Sequence, residues 1–339
     1  MKFAPSCTTL TGTIPPLPES LTNGDQLFHE CHKLTGSVPK LPSGLTDAWL
    51  MFADCTSLTG KIPELPSGLT SGASMFENCT RLTGSIPQLP STLTDAKAMF
   101  KGDKNLTGNI PPLPSGITLA EHMFDSCTGL TGSIPSLPTA LERADYMFYN
   151  CNKLSGNIPA LPASLYDASS MFAGCSGLTG SIPTLPSPSS YKYIGLKNAT
   201  AMFAGCSGLT GSIPNLPESL NNVVSMFANC TKLTGTIPAL PSKITSGEYM
   251  FDSCSGLTGA VPQLPTTLTN GNSMFAGCQG LTGSVPTLPS GLSNGRFMFL
   301  SCSGLTGKTP AKPSGLTTYE SMFSGTKVTN DGSWPSGAW

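Results

Sequence analysis

The sequence predicts a repeat solenoid, a right-handed coil in which each turn adds a short strand to a parallel β-sheet and returns over a loop or short-helix back. Three observations predict it. One 24-residue pattern recurs about fourteen times along the 339 residues, and self-similarity at a fixed period of this size marks stacked architectures. Cysteine keeps the same clock: Cys7, Cys31, Cys55 and Cys79; Cys127, Cys151 and Cys175; then Cys206, Cys230, Cys254, Cys278 and Cys302. Asp103 and Thr326 occupy the slot in two units. Within each copy a short stretch alternates apolar and polar residues, the period of a strand.

The copy that begins at Met51 shows each element in turn. Leu58, Gly60 and Ile62 alternate with Thr59 and Lys61, so this stretch is the strand. Pro63 and Pro66 follow; each lacks an amide donor and has a fixed φ, which ends the strand in an extended turn. Leu65 and Leu69 point back inward. The small residue three places on (Gly72 here; Ala48, Ala96, Ala120 and Ala144 elsewhere) allows close coil packing. Met75 and Phe76 then fill the core from the opposite side on an expected turn of helix. One coil alone buries too little apolar surface, so stability comes from stacked neighbours. At a strand spacing of about 4.8 Å, fourteen coils give an expected rod of roughly 65 Å.

Composition excludes several functions. Charged residues are 11% and the formal net charge is −1, so no basic field is available for nucleic acid or an anionic membrane. No apolar run approaches the roughly 20 residues of a membrane span, so membrane insertion is not expected. Gly (37) and Pro (31) are abundant, but Leu, Ile, Met and Phe at fixed spacing point to order. The start, Met1-Lys2-Phe3-Ala4-Pro5, lacks the apolar stretch of a secretory signal. An extracellular or cell-surface location then implies a fragment, another export route or a virion component.

Cysteines 24 residues apart stack in one row with parallel Cβ vectors. A disulfide needs those vectors to converge, so the row is read as an inward, reduced ladder. His29, Cys31 and His32 form the one local cluster reminiscent of a metal site. With Cys31 inward and the histidines on variable slots, three or four convergent ligands are lacking, and no metal or other cofactor is expected. His122 stands alone in the sequence. No nucleophile elbow, P-loop or GxGxxG occurs, so the chain is read as a non-enzyme.

The segment Met-Phe-x-x-Cys-x-x-Leu followed by Ile-Pro resembles the BspA-like bacterial surface leucine-rich repeats with their MFxxCxxL pattern. The Leu-Thr-Gly-x-Ile-Pro piece is similar to the plant-type repeat of the same period. The resemblance covers almost the whole chain and implies a leucine-rich-repeat-like fold. It also implies adhesion, host-cell or matrix binding, or ligand recognition. A second proline after Ile-Pro-x-Leu departs from both patterns.

The internal copies also serve as an alignment. The residue after the second inward leucine is Thr or Ser at Thr22, Thr46, Thr70, Thr94, Thr118, Thr245, Thr269, Ser293 and Thr317. Four consecutive units break that rule with Glu142, Tyr166, Lys197 and Asn221. A seven-residue insertion near 187–195 falls in the same stretch and brings Tyr191, Lys192 and Tyr193. Tyrosine gives large contact area at low entropy cost, so these seven residues form the candidate ligand-binding set. Neutral drift with a tolerated loop insertion explains them equally well. A more diffuse aromatic scatter (Trp49, Tyr146, Tyr249, Phe297) precedes the Met-Phe pair, and Ser170 is read there as a drifting outward residue.

The expected organisation is a solenoid over 1–326 and a C-terminal cap or tail over 327–339. The expected function is a non-catalytic adhesion or recognition module of a cell surface or virion, binding a protein or glycan through the solenoid surface. A structural spacer or self-assembling fibre subunit, with end-to-end self-association through exposed repeat ends, is the alternative. Ice binding through the Thr59-type row and the Ser/Thr row two places on is the third.

Overall fold

The computed structural model describes residues 7–188 and 194–339. The chain divides into two compact units, Met1–Leu165 and Tyr166–Trp339. Each is a stack of leucine-rich-repeat coils with short parallel strands. The strands are β1 (Gly12–Thr13), β2 (Leu34–Thr35) and β3 (Gly156–Asn157) in the first unit. The second holds β4 (Leu178–Thr179), β5 (Gly259–Ala260), β6 (Leu281–Ser284) and β7 (Leu305–Thr306). β1 pairs with β2, placing Gly12 across from Leu34; β5, β6 and β7 form a three-stranded sheet with Gly259 across from Leu281 and Gly283 across from Leu305.

The expected alternation holds, since Leu58 and Ile62 are buried while Thr59 and Lys61 are exposed. The strand is shorter than the alternation predicts. Its central glycine, Gly60 or Gly84 for example, has φ near +80, a region that interrupts extended pairing and favours glycine. A Cβ on Gly84 would also lie 2.9 Å from Lys61 Cγ of the preceding coil. Both facts explain why the glycine of Leu-Thr-Gly does not drift.

The backs are loops, not short helices. Among the described residues the one helical piece is a 3-10 turn at Ser336–Ala338. Around Met75–Phe76, alternate amides turn back along the chain or cross to the next coil. Met75, Glu77 and Cys79 donate to Gly72, Ser74 and Phe76, whereas Gly72, Ser74, Phe76 and Asn78 donate to Asp95, Lys97, Met99 and Lys101. The alternation is made possible by left-handed residues before the Met-Phe pair and before the cysteine, here Ser74 (φ 52) and Asn78 (φ 58). A helix would direct every amide four residues back; these turns send half of them to a neighbour.

The core is a set of parallel columns. Phenylalanines stack ring on ring, with centroids 5.5 Å apart for Phe28–Phe52 and 6.1 Å for Phe76–Phe100 in the first unit, and 5.6 Å for Phe275–Phe299 in the second. Interplanar angles in these pairs are 11°, 7° and 2°. The small-residue column lies against the next coil's methionine: a Cβ on Gly72 would sit 2.8 Å from Met99 Cε. The alanines in equivalent slots therefore require that flexible side chain to give way.

Among the described residues the cysteine column is buried except for the half-buried Cys7. The thiol ladder has a partner that spacing did not reveal. Cys79 Sγ donates to the Phe52 carbonyl at 3.0 Å, and Cys254 Sγ to that of Phe227 at 3.0 Å. Desolvation by burial, the largest cause, pushes the thiols of Cys55, Cys151, Cys206 and Cys302 up to about 12, so they remain protonated donors.

Beyond residue 327 the chain folds over the last coil. Ser321 and Phe323 donate to Gly337 and Ala338, as earlier coils donate to their successors. Trp334 meets the Phe323 ring edge-on at 4.9 Å, and its indole N–H donates to the Pro310 carbonyl at 2.8 Å.

Asp103 is the discordant member of the cysteine column. It is fully buried, and neither carboxyl oxygen has a hydrogen-bond partner. Desolvation pushes its carboxyl well above the usual carboxylate range. As pH rises above about 4, the unfolded chain releases this proton before the folded chain does, so the folded state loses stability. Asp103→Cys restores the thiol column and is expected to stabilise the protein by about 1–3 kcal/mol near neutral pH. The gain should shrink as the pH approaches about 4. Urea unfolding at both pH values checks this; a gain independent of pH would show that the buried carboxyl is not its source.

Candidate functional site

The column that carries the candidate residues has a structural role elsewhere. In the first unit, Thr46, Thr70 and Thr94 donate their hydroxyls to the carbonyls of Thr22, Thr46 and Thr70 at 3.2, 3.0 and 3.3 Å. In the second, Thr269, Ser293 and Thr317 do the same at 3.1, 3.1 and 3.3 Å. Backbone amides of the same residues donate to the same carbonyls. A hydroxyl on a short β-carbon stem is needed to add the second bond, which keeps the column Thr or Ser.

Where the column breaks, the amide ladder persists without the hydroxyl. Glu142 is exposed and its amide donates to Thr118 at 3.0 Å. In the second unit, Lys197 donates to the carbonyl of Tyr166 at 2.9 Å and Asn221 to that of Lys197 at 3.0 Å. Tyr166, half-buried, and Lys197 and Asn221, exposed, therefore occupy successive coils in one row. Tyr191, Lys192 and Tyr193 lie outside the described residues. On either side of the insertion the described residues keep the repeat's contact: Leu196 donates to Pro186 at 2.9 Å, as Leu69 does to Pro66. Extra residues thus leave the repeat register unchanged.

Other surface residues required correction or were missed. Ser170, read as outward, is 5% exposed and left-handed at φ 53. His122 does not stand alone; its Nδ1 is 2.8 Å from Asp125 Oδ2, and its ring stacks on Tyr146 with centroids 4.7 Å apart. Nearby Glu121 is buried and reaches Arg143 at 3.2 Å and Lys97 at 3.7 Å. Burial pushes the Glu121 carboxyl up, against the opposing pull of its own amide and these two cations. His29 lies 4.0 Å from the Asp54 carboxylate, and His32 Nδ1 is 2.7 Å from the Asp54 carbonyl oxygen. Cys31 is buried.

A column of Asp, Asn or Ser four residues before the methionine was legible but unread. Asp47 Oδ1 accepts the Trp49 amide at 3.1 Å, and Asn294 Oδ1 accepts the Arg296 amide at 3.1 Å. These Asx turns set up the left-handed residue that follows. The exposed Thr59-type row also has internal partners: Thr35, Thr59 and Thr83 each donate to the preceding coil's glycine carbonyl at 3.3 Å. Their hydroxyl protons are committed to the fold.

Residues 18–112 and 70–185 match the family described as Mycoplasma protein of unknown function, DUF285. Residues 168–306 match the BspA type leucine rich repeat region in six copies. A leucine-rich repeat protein from Bacteroides ovatus is similar in structure, with 21% identity, a TM-score of 0.51, and coverage of 97% of this chain and 84% of that one. A leucine rich cell surface protein from Faecalibacterium prausnitzii is similar at 20% identity and a TM-score of 0.53, covering 95% and 88%. No curated protein matches the chain. The fold and the BspA-type repeat both agree with the resemblance carried by the MFxxCxxL pattern.

If the column break costs stability, restoring the column should recover it. Lys197→Thr and Asn221→Thr each add a hydroxyl beside an existing acceptor carbonyl. Each is expected to stabilise by about 0.5–1 kcal/mol. Thermal or urea unfolding of the two variants checks this, and a loss of stability would indicate that the side chains themselves hold the coil.

Proposed function

We propose, from a chain whose residues 168–306 belong to the BspA-type leucine-rich repeats, that the protein is a non-catalytic recognition module of a bacterial cell surface. It binds a protein or glycan through the solenoid surface. The observation that carries this reading is the row Tyr166, Lys197 and Asn221, set in successive coils where other coils hold a backbone-bonded Thr or Ser. Three different side chains there lack the hydroxyl that makes this bond at Thr46, Thr70, Thr94, Thr269, Ser293 and Thr317. An aromatic, a cation and an amide at coil spacing supply apolar area, charge and hydrogen bonding in one strip, and tyrosine is among the residues enriched in binding hot spots. Glu142 in the first unit breaks the same column, and Tyr191, Lys192 and Tyr193 belong to the insertion in the same stretch of sequence.

The surface assignment is supported by the similarity to the Faecalibacterium prausnitzii cell surface protein. A rigid stack suits this role, since its backbone changes little on binding and the ordering cost falls mainly on side chains. The uncommitted polar groups of the row lie on a stack whose interior is occupied by packed apolar columns. Recognition then requires no cofactor and no chemical step.

The test is a binding screen of the intact chain against immobilised extracellular-matrix proteins and a glycan array. It is run beside a Tyr166→Thr, Lys197→Thr, Asn221→Thr variant, which has the ordinary column. The wild type should retain at least one partner, and the variant should lose affinity by at least about tenfold, the equivalent of one hot-spot side chain. Equal binding by both would remove the row from the interface. No partner at all, together with concentration-dependent sedimentation, would favour the fibre subunit.

A further inference from the structure

The coil of Phe323 is closed by a segment that imitates a coil. Ser321 and Phe323 donate to Gly337 and Ala338, just as Gln26 and Phe28, in the same two slots, donate to Trp49 and Met51 of a true neighbour. On the strand side the Thr329 amide and hydroxyl both donate to Gly307, at 2.8 and 3.2 Å, as those of Thr59 donate to Gly36. Trp334 and Trp339 lie 4.9 and 5.6 Å from the Phe323 ring, where the phenylalanine column would otherwise continue. Residues 327–339 contain no leucine and no Ile-Pro-x-Leu-Pro stretch. They supply the bonds of a coil without its leucine columns.

The coil of Phe28 offers the complementary face, uncovered. Asp25 and Leu27 hold the slots of Trp49 and Met51, and among the described residues no amide donates to either carbonyl. The apolar columns are also unfinished here. Leu21, Leu27 and Phe28 are half-buried, whereas Leu45, Met51 and Phe52 of the next coil are fully buried. Leu10 is 47% exposed against 4% for Leu34. These side chains, with Leu17, line one apolar cleft. Such a face gains from a neighbour that covers its leucines and donates to its carbonyls.

We propose that this cleft binds the Phe323 coil of a second copy of the chain, in the place that residues 327–339 fill within one molecule. The occupant must present two amides at the spacing of Ser321 and Phe323 beside a phenylalanine ring, and that coil does so, paired to its own tail. Thr326 and Cys7 hold the same slot of the repeat. A second copy taken from Thr8 onward therefore continues the register that the first leaves at Thr326. The contact joins two different faces, so each added copy presents the cleft again and the series stays open. In the intact chain the tail is tethered beside its coil and outcompetes a free copy. Residues 327–339 are thus a plug that holds self-assembly in check. The proposal is independent of the recognition reading, and the row at Tyr166 takes no part in it.

Sedimentation velocity between about 1 and about 100 µM is the test. The full-length Trp334→Ser, Trp339→Ser variant strips the rings from the plug, and a chain stopped after Thr326 removes it. Circular dichroism checks that each is folded; should the shortened chain unfold, the full-length variant carries the same expectations. The wild type should stay monomeric. The unplugged variants should add copies as concentration rises, with a weight-average mass increasing at least about threefold over the range. Adding Leu10→Glu and Leu17→Glu places charge in the cleft, leaves the Phe323 coil untouched and should return them to monomers. Folded, unplugged chains that stay monomeric would overturn the contact. So would association that survives the glutamates, or a species that stops at the dimer. The binding screen of the Tyr166 row is unaffected by any of these results.

Discussion

Inter-coil hydrogen bonding of opposite polarity on two faces is the constraint on which the rest of the structure depends. On the turn face, Gly72, Ser74, Phe76 and Asn78 donate forward to the next coil. Elsewhere in the coil, Thr70, Ser71 and Thr83 donate backward to the previous one, as does the Cys79 thiol. Each coil is thus bonded to both neighbours through groups that a free coil would leave exposed to water. The apolar columns follow from this register. Once the backbones align at one repeat, phenylalanine must lie on phenylalanine and cysteine beside the preceding phenylalanine carbonyl. Stability becomes a sum over neighbouring pairs, which is why one misfit such as Asp103 can be accommodated where its neighbours hold register.

Much of this was legible because packing repeats at the period of the chain. Leu58, Ile62, Leu69, Met75, Phe76 and Cys79 are inward as their spacing implied. The turn face was misread because Met-Phe-x-x-Cys has the look of one helical turn, and apolar spacing alone does not distinguish a helix from consecutive turns. A signal was available in part. The residue before the cysteine slot is Asp54, Asn78, Gly102 (before Asp103), Ser126 or Asn150 in successive coils, types that tolerate or are common in left-handed turn positions. The residue before Met-Phe gave no such warning, since Leu50, Ala98 and Tyr146 are ordinary at negative φ, and Ser170 was misplaced for that reason. Of the two partners of His122, Asp125 lies three residues on and was open to a local reading, whereas Tyr146 is one coil away, 24 residues along the chain.

The surface can be interpreted because the repeat explains its own fixed positions. Thr70 is retained for a carbonyl of the previous coil, Asp47 for an Asx turn and Gly84 for a positive φ. What remains after these assignments is the set of side chains that the fold does not require. Tyr166, Lys197 and Asn221 belong to it. Recognition on such a stack is a matter of which coils depart from the pattern.

The direction of the turn-face bonds is tested most directly by native-state amide exchange in the wild type and in Phe100→Ala. Phe76 donates to Met99, so loosening the coil of Phe100 should speed exchange at Ser74, Phe76 and Asn78 of the preceding coil. Exchange at Thr83, which donates backward to Gly60, should change less. Unchanged protection at Ser74, Phe76 and Asn78 would contradict the account, because it would mean that those amides are satisfied within their own coil.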